Sequence, residues 1–159
     1  WSWPTRSDGA WDRRNVTDIG FGAATPTGRR VFLGMSGLTG ARVVMSESSG
    51  ASFRSITGDL PAQVNVRALL VDPANDHVLY VGSDTGVWVS VDRGAHWAPY
   101  SSGLPAVPYV NDLEYDAVNA KVVAGTYGRG VFMVAPLPGP LFYDGFETGD
   151  TRAWGGTAP

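Results

Sequence analysis

"SVDRGAHW", residues 90–97, holds a serine, an aspartate, an arginine and a histidine within eight positions. That density of reactive groups invites a catalytic reading, but the surrounding sequence gives another. The same spacing recurs 44 residues earlier as "SESSGASF" (46–53). "GDLP" (58–61) and "SGLP" (102–105) are also 44 apart, and "VLYVG" (78–82) and "KVVAG" (121–125) are 43 apart. "VFLG", ending at Gly34, precedes Gly82 by 48, the extra residues fitting a longer loop, "MSGLTG". Several landmarks that share one period identify an internal repeat.

Each unit reads as short strands rich in Val, Leu, Tyr and Trp, separated by Gly, Asp-Pro and Ser-Asp. The middle unit gives "VNVRALLVD", "HVLYVG", "GVWVSV" and "WAPYS". The preceding one gives "VTDIGF", "RRVFLGM", "ARVVMS" and "FRSIT". The last gives "VNDLEYD", "AKVVAG" and "GVFMV" and stops before a fourth strand. No segment sustains a 3.6-residue apolar period, so no helix is predicted. Four strands per unit and a period of about 40 to 45 residues describe blades of a β-propeller. The predicted fold is all-β: a partial propeller of about three four-stranded antiparallel blades. The predicted division is an N-terminal remnant of a preceding blade or linker at 1–15, then blades at about 16–61, 62–105 and 106–135. A proline-rich linker and tail follow at 136–159.

Composition agrees. Of 159 residues, 43% are hydrophobic and 17% charged, which excludes a disordered chain. The 21 glycines and 11 prolines suit many tight turns. A net charge of −3 gives no electrostatic basis for nucleic-acid binding. There is no cysteine, hence no disulfide, thiolate metal site or cysteine nucleophile. No stretch approaches the roughly 20 apolar residues of a membrane helix. The chain opens on Trp1 without a visible signal peptide, which points to processing or to sequence further upstream.

The pattern Ser-x-Asp-x-Gly-x-x-Trp at Ser90, Asp92, Gly94 and Trp97 resembles the Asp-box, or BNR repeat. This motif occurs in sialidases, xyloglucan-degrading hydrolases, the sortilin ectodomain and secreted bacterial propellers. "SESSGASF" is a degenerate copy that keeps Ser46 and Gly50, with Ser48 for the aspartate and Phe53 for the tryptophan. The turn chemistry points to architecture: a short carboxylate accepts backbone N–H groups, glycine allows positive φ, and the aromatic plugs the blade. His96 is then a solvated turn residue. "GTYGRGV" (125–131) is similar to the run that ends such domains. "FYDGFETGDTRAW" (142–154) resembles a C-terminal element of exported bacterial proteins. The resemblance implies a secreted or cell-surface protein.

Enzymes of this superfamily use residues that find no match here. "SFRSI" (52–56) lacks the proline of the sialidase Arg-Ile-Pro signature. Asp18 in "VTDIGFG" is only superficially like one of the two aspartates of xyloglucan hydrolases. No catalytic residue is therefore assigned.

Blade geometry narrows the search for a ligand site. The loops between second and third strands and the blade connectors share one rim. There Asp84, Tyr109, Tyr127 and Arg129 offer stacking and polar contacts for a sugar or peptide. The innermost strands align as "VTDI", "VRAL" and "VNDL", which places Asp18, Ala68 and Asp112 at equivalent positions. With Arg67 and Asn111 beside them, these are candidates to line a central channel; the plainer reading is a set of satisfied groups at strand ends. His77 and His96 sit in separate turns, so no metal pair is predicted, and no cofactor is implied. "DGFETGD" (144–150) lacks calcium-loop spacing and reads as a solvated tail.

The function these observations favour is a non-catalytic recognition or scaffold module, binding a glycan or protein and completed by further blades. The alternative is the C-terminal part of a glycoside hydrolase whose catalytic residues lie upstream. A third possibility is a propeller that positions an exported peptidase or adhesin.

Overall fold

The structure, a computed structural model, describes residues 15–106 and 108–137 and the backbone of a two-residue strand, β1 (Thr5–Arg6). "DGFETGD" and most of the predicted N-terminal remnant lie outside the described residues. Eleven further strands follow. In the first unit they are β2 (Val16–Thr25), β3 (Gly28–Met35), β4 (Val43–Ser46) and β5 (Ser52–Ser55). The second unit has β6 (Val66–Val71), β7 (Leu79–Ser83), β8 (Gly86–Ser90) and β9 (Ala98–Pro99). The third has β10 (Val110–Asp116), β11 (Lys121–Thr126) and β12 (Gly130–Val134).

They form three sheets in the orders β1-β5-β4-β3-β2, β6-β7-β8-β9 and β10-β11-β12. Within each repeat the strands run as an antiparallel meander. The four-strand plan holds in the middle sheet, and among the described residues the third has three strands. The first gains β1, which pairs parallel to β5 and was too short to leave a periodic signal. The first strand of each sheet packs on the first strand of the next, β2 on β6 and β6 on β10. Successive sheets stacked about their inner strands make a partial β-propeller.

Two cores lie between sheets. Phe32, Val43 and Met45 meet Leu69, Val71, Val81 and Trp97 between the first and second. Ala68, Tyr80 and Val89 meet Val110, Leu113 and Val122 between the second and third. On the far face of the first sheet, Leu33, Val44 and Phe53 are also buried.

Each inner strand carries a bulge at the same place, between Val16 and Asp18, Val66 and Ala68, and Val110 and Asp112. Beyond it, Asp18, Ala68 and Asp112 pair with Gly34, Gly82 and Gly125. The equivalence read from the aligned sequence is therefore a matched backbone feature. A bulge bends the strand and re-aims its side chains.

Candidate functional site

The turns at 46–53 and 90–97 join third to fourth strands, on the outer part of their sheets. Ser90 Oγ accepts hydrogen bonds from Gly94 N (2.7 Å) and Asp92 N (3.3 Å). Ser46 Oγ does the same for Gly50 N (2.9 Å) and Ser48 N (3.1 Å). Asp92 Oδ1 accepts from Ser90 Oγ and from His96 N, at 2.8 and 2.9 Å. In the other turn Ser48 Oγ replaces that carboxylate and accepts from Ser52 N (3.3 Å). Arg93 and Gly94 are both left-handed, φ 59° and 88°, as are Ser49 and Gly50. Glycine is required at position 94 for a second reason: a Cβ there would lie 2.2 Å from Ile56 O. Trp97 and Phe53 are buried, and Trp97 Nε1 donates to Gly94 O (3.1 Å). Every group in "SVDRGAHW" that looked reactive is thus engaged in holding the turn or, for Arg93, in pairing with Asp76 in the β6–β7 loop of its own sheet.

Arg93 contributes to a junction that sequence reasoning missed. Asp76, in the β6–β7 loop, accepts from Arg93 Nη2 (3.1 Å), from Arg30 Nη1 (2.9 Å) and from Ala23 N (2.7 Å). Burial alone would push its carboxyl up, but these donors hold it below the usual aspartate value. Arg42 is another: buried in the first sheet, it donates to Leu60 O, Pro61 O and Val64 O and so ties down the connector to β6. A lone arginine opening the apolar run "ARVVMS" was the available signal.

The predicted rim and channel residues divide three ways. Asp18 belongs to the joint between sheets: its Oδ2 accepts from Leu69 N and its Oδ1 from Ile19 N, both at 2.8 Å. Asp84 Oδ1 accepts from Asn65 N (3.4 Å), and Asn65 Oδ1 from Gly37 N (2.8 Å). These bonds join the β3–β4 loop, the connector and the β7–β8 turn on one rim. Arg129 is exposed on the β11–β12 turn, and Asp112 is exposed on β10.

The remaining four come together. Arg67, Tyr109, Asn111 and Tyr127 line one open pocket of about 290 Å³. The Arg67 guanidinium carbon lies 5.1 Å from the centre of the Tyr109 ring, a cation–π contact. Tyr127 N donates to Tyr109 O (2.8 Å), which fixes the turn against the end of the connector. Both tyrosines remain exposed. Arg67 Nε is buried without a hydrogen-bond partner, so the guanidinium is held in place by packing. Sequence alignment put Tyr109 and Tyr127 on a rim and Arg67 and Asn111 in a channel; the pocket sits where the two meet. It offers two aromatic faces, a cation and an amide, the equipment for a planar, hydroxyl-rich ligand. Among the described residues no carboxylate lines it. No group of three or more His, Cys, Asp and Glu able to hold a metal occurs among the described residues.

No protein-family profile and no curated protein matches this chain. Solved structures do. The chain is similar to the GH74 xyloglucanase from Xanthomonas campestris, with a TM-score of 0.55 and 22% identity, over 76% of this chain and 22% of that one. It is similar also to the GH74 enzyme of Niastella koreensis, with a TM-score of 0.57 and 14% identity, over 76% of this chain and 21% of that one. The chain therefore spans about a fifth of the length of these enzymes. At such identities the likeness establishes the fold: the three sheets are blades of a propeller.

Proposed function

We propose that this chain is a non-catalytic recognition module, the C-terminal arc of a secreted bacterial propeller with Asp-box turns, which binds a glycan at Arg67, Tyr109, Asn111 and Tyr127. The observation that carries this reading is the pocket itself, where aromatic faces and a cation converge and, among the described residues, no carboxylate or histidine joins them. A sugar ring laid on Tyr109 or Tyr127 buries its apolar face, while Arg67 and Asn111 reach its hydroxyls. Asp18 is engaged by two backbone N–H groups, that of Leu69 across the sheet joint and that of Ile19 on its own strand, which suits a structural carboxylate better than a general base.

The test is titration with xyloglucan and cello-oligosaccharides, followed by calorimetry, with reducing-end release measured in parallel. Binding without turnover is expected. Tyr127→Ala and Arg67→Ala should each cost about 2 kcal/mol, roughly thirty-fold in Kd, while Arg129→Ala leaves affinity unchanged. Absence of binding to any oligosaccharide would remove the proposal.

A second reading has its own support. Both structural neighbours are GH74 enzymes and one is named a xyloglucanase, which favours a chain that forms part of a glycoside hydrolase with its catalytic carboxylates in other blades. Release of reducing ends from xyloglucan, by this chain or by a longer protein containing it, would replace the first reading with this one.

A further inference from the structure

The second and third sheets close the same corner of the rim by different means. Val66 pairs with Ser83 and Val110 with Thr126, so Asn65 and Asp84 flank one pair as Tyr109 and Tyr127 flank the other. In the second sheet side chains make the closing bonds: Asp84 Oδ1 accepts from Asn65 N (3.4 Å), and Asn65 Oδ1 accepts from Gly37 N (2.8 Å). In the third a backbone bond does so, Tyr127 N donating to Tyr109 O at 2.8 Å. The two tyrosine side chains are released from that task and stay 44 and 77% exposed.

Arg67, at the bulge of β6, reaches this corner from the second sheet, its guanidinium carbon 5.1 Å from the centre of the Tyr109 ring. Other arginines in the arc have found polar partners: Arg30 and Arg93 hold Asp76, and Arg42 holds three backbone carbonyls. Among the described residues, no oxygen accepts a hydrogen bond from Arg67 and no carboxylate lies within ion-pair distance of it. Nε alone of its three side-chain nitrogens is buried without a partner, so Nη1 and Nη2 are open to the pocket that Arg67 lines. Arg67 is thus a cation that has lost water along one edge and gained no counter-charge, an arrangement that costs free energy until an anion arrives.

The open edge decides the chemistry of that anion. Two terminal nitrogens in one fixed plane match a carboxylate, which accepts two parallel N–H bonds; a neutral hydroxyl accepts singly and leaves the charge unpaired. The Tyr109 ring and the packing about Nε hold the plane before a ligand arrives, so little freedom is lost on binding. Because the guanidinium covers a face of Tyr109, the more exposed Tyr127 is the platform for a sugar ring, and the Asn111 amide serves a hydroxyl. At about 290 Å³ the pocket lies at the small end of ligand sites, the scale of an acidic sugar residue and not of a long chain.

We propose that the glycan taken at this site is acidic: a uronic acid residue whose carboxylate is held end-on by Arg67 Nη1 and Nη2 while its ring lies on Tyr127. This rests on the glycan-binding reading above and names its substrate class. The chain carries a net charge of −3, so a preference for an acid cannot come from its general field and has to come from this one cation.

Calorimetric titration of the intact chain with trigalacturonic acid, with its methyl ester and with a neutral xyloglucan oligosaccharide separates the two claims. The acid is expected to bind about tenfold tighter than the ester. Arg67→Gln should remove that difference, whereas Tyr127→Ala should weaken acid and ester together. The acid-to-ester ratio of the parent decides the matter by itself if Arg67→Gln melts early. Equal binding of acid and ester overturns the carboxylate assignment and leaves a glycan site in place. So does binding of the neutral oligosaccharide alone, or a preference for the acid that survives in a folded Arg67→Gln. Failure to bind any of the three removes the glycan reading, and this inference with it.

Discussion

Trp97 and Phe53 show how one position can serve two sheets with different side chains. Each returns from its turn into the blade, and each is buried. Trp97→Ala leaves a void that the rigid turn cannot close, at an expected cost of about 3–5 kcal/mol, measurable as a shift in the urea midpoint; a loss under about 1 kcal/mol would mean that the turn does not need its plug. The same turn titrates. His96 Nδ1 lies 2.6 Å from Asp92 Oδ2, and this hydrogen bond, with the charges of Asp92 and Asp59, raises the imidazole above its ordinary value. Burial would push the Asp92 carboxyl up, but hydrogen bonds from His96 and Ser90 hold it below its ordinary value. His96 binds its proton more tightly in the folded state, so its contribution is complete below the ordinary histidine value and is lost as pH rises through the folded one. The Asp92 contribution is lost at the other end, as pH falls through its lowered value. His77 acts in the opposite sense to His96: burial, then the Arg93 charge, lowers its pKa, so its share of stability grows with pH. His96→Gln should therefore leave a melting temperature that rises between about pH 5 and pH 8, where the parent is flatter or falls. Parallel profiles would show that the Asp92–His96 pair has no part in stability. His96 is solvated, as its place in a turn implied, but it is not idle.

At the scale of elements, the middle sheet has a neighbour on both faces, whereas the third leaves β11 and β12 with Val131 and Met133 exposed. Within each repeat the strands form an antiparallel meander that can open locally without unravelling its neighbours. Hydrogen exchange should therefore be slowest in β7 and β8 and fastest in β12; uniform protection would mean that the sheets open only together. The strands of the repeat were legible because Val, Leu and Tyr alternate with turn residues at a fixed period, and even the equivalence of Asp18, Ala68 and Asp112 could be read by alignment. What could not be read depends on contacts between sheets. Asp76 sits in "DPAND", a run that announces only a turn; its partners Ala23 and Arg30 lie about 50 residues away. The pocket was half legible. Its four residues were each named, but in two separate groups, because an alignment orders positions along a strand and does not show where a connector meets the strand it enters.

Taken whole, the molecule is an arc whose first sheet exposes Val16, Ile19 and Phe21 and whose third exposes Val131 and Met133. β1 sets a different kind of constraint. Hairpins such as β2–β3 and β7–β8 join residues only a few positions apart, and so form with little loss of chain entropy. Thr5 and Arg6 instead pair with Ser52 and Phe53, and they pair in parallel, on a strand that exists only after β4 and β5 have come together. Thr5 and Arg6 are made before β5 yet can find their place only after it, and until they do the outer edge of β5 stands open.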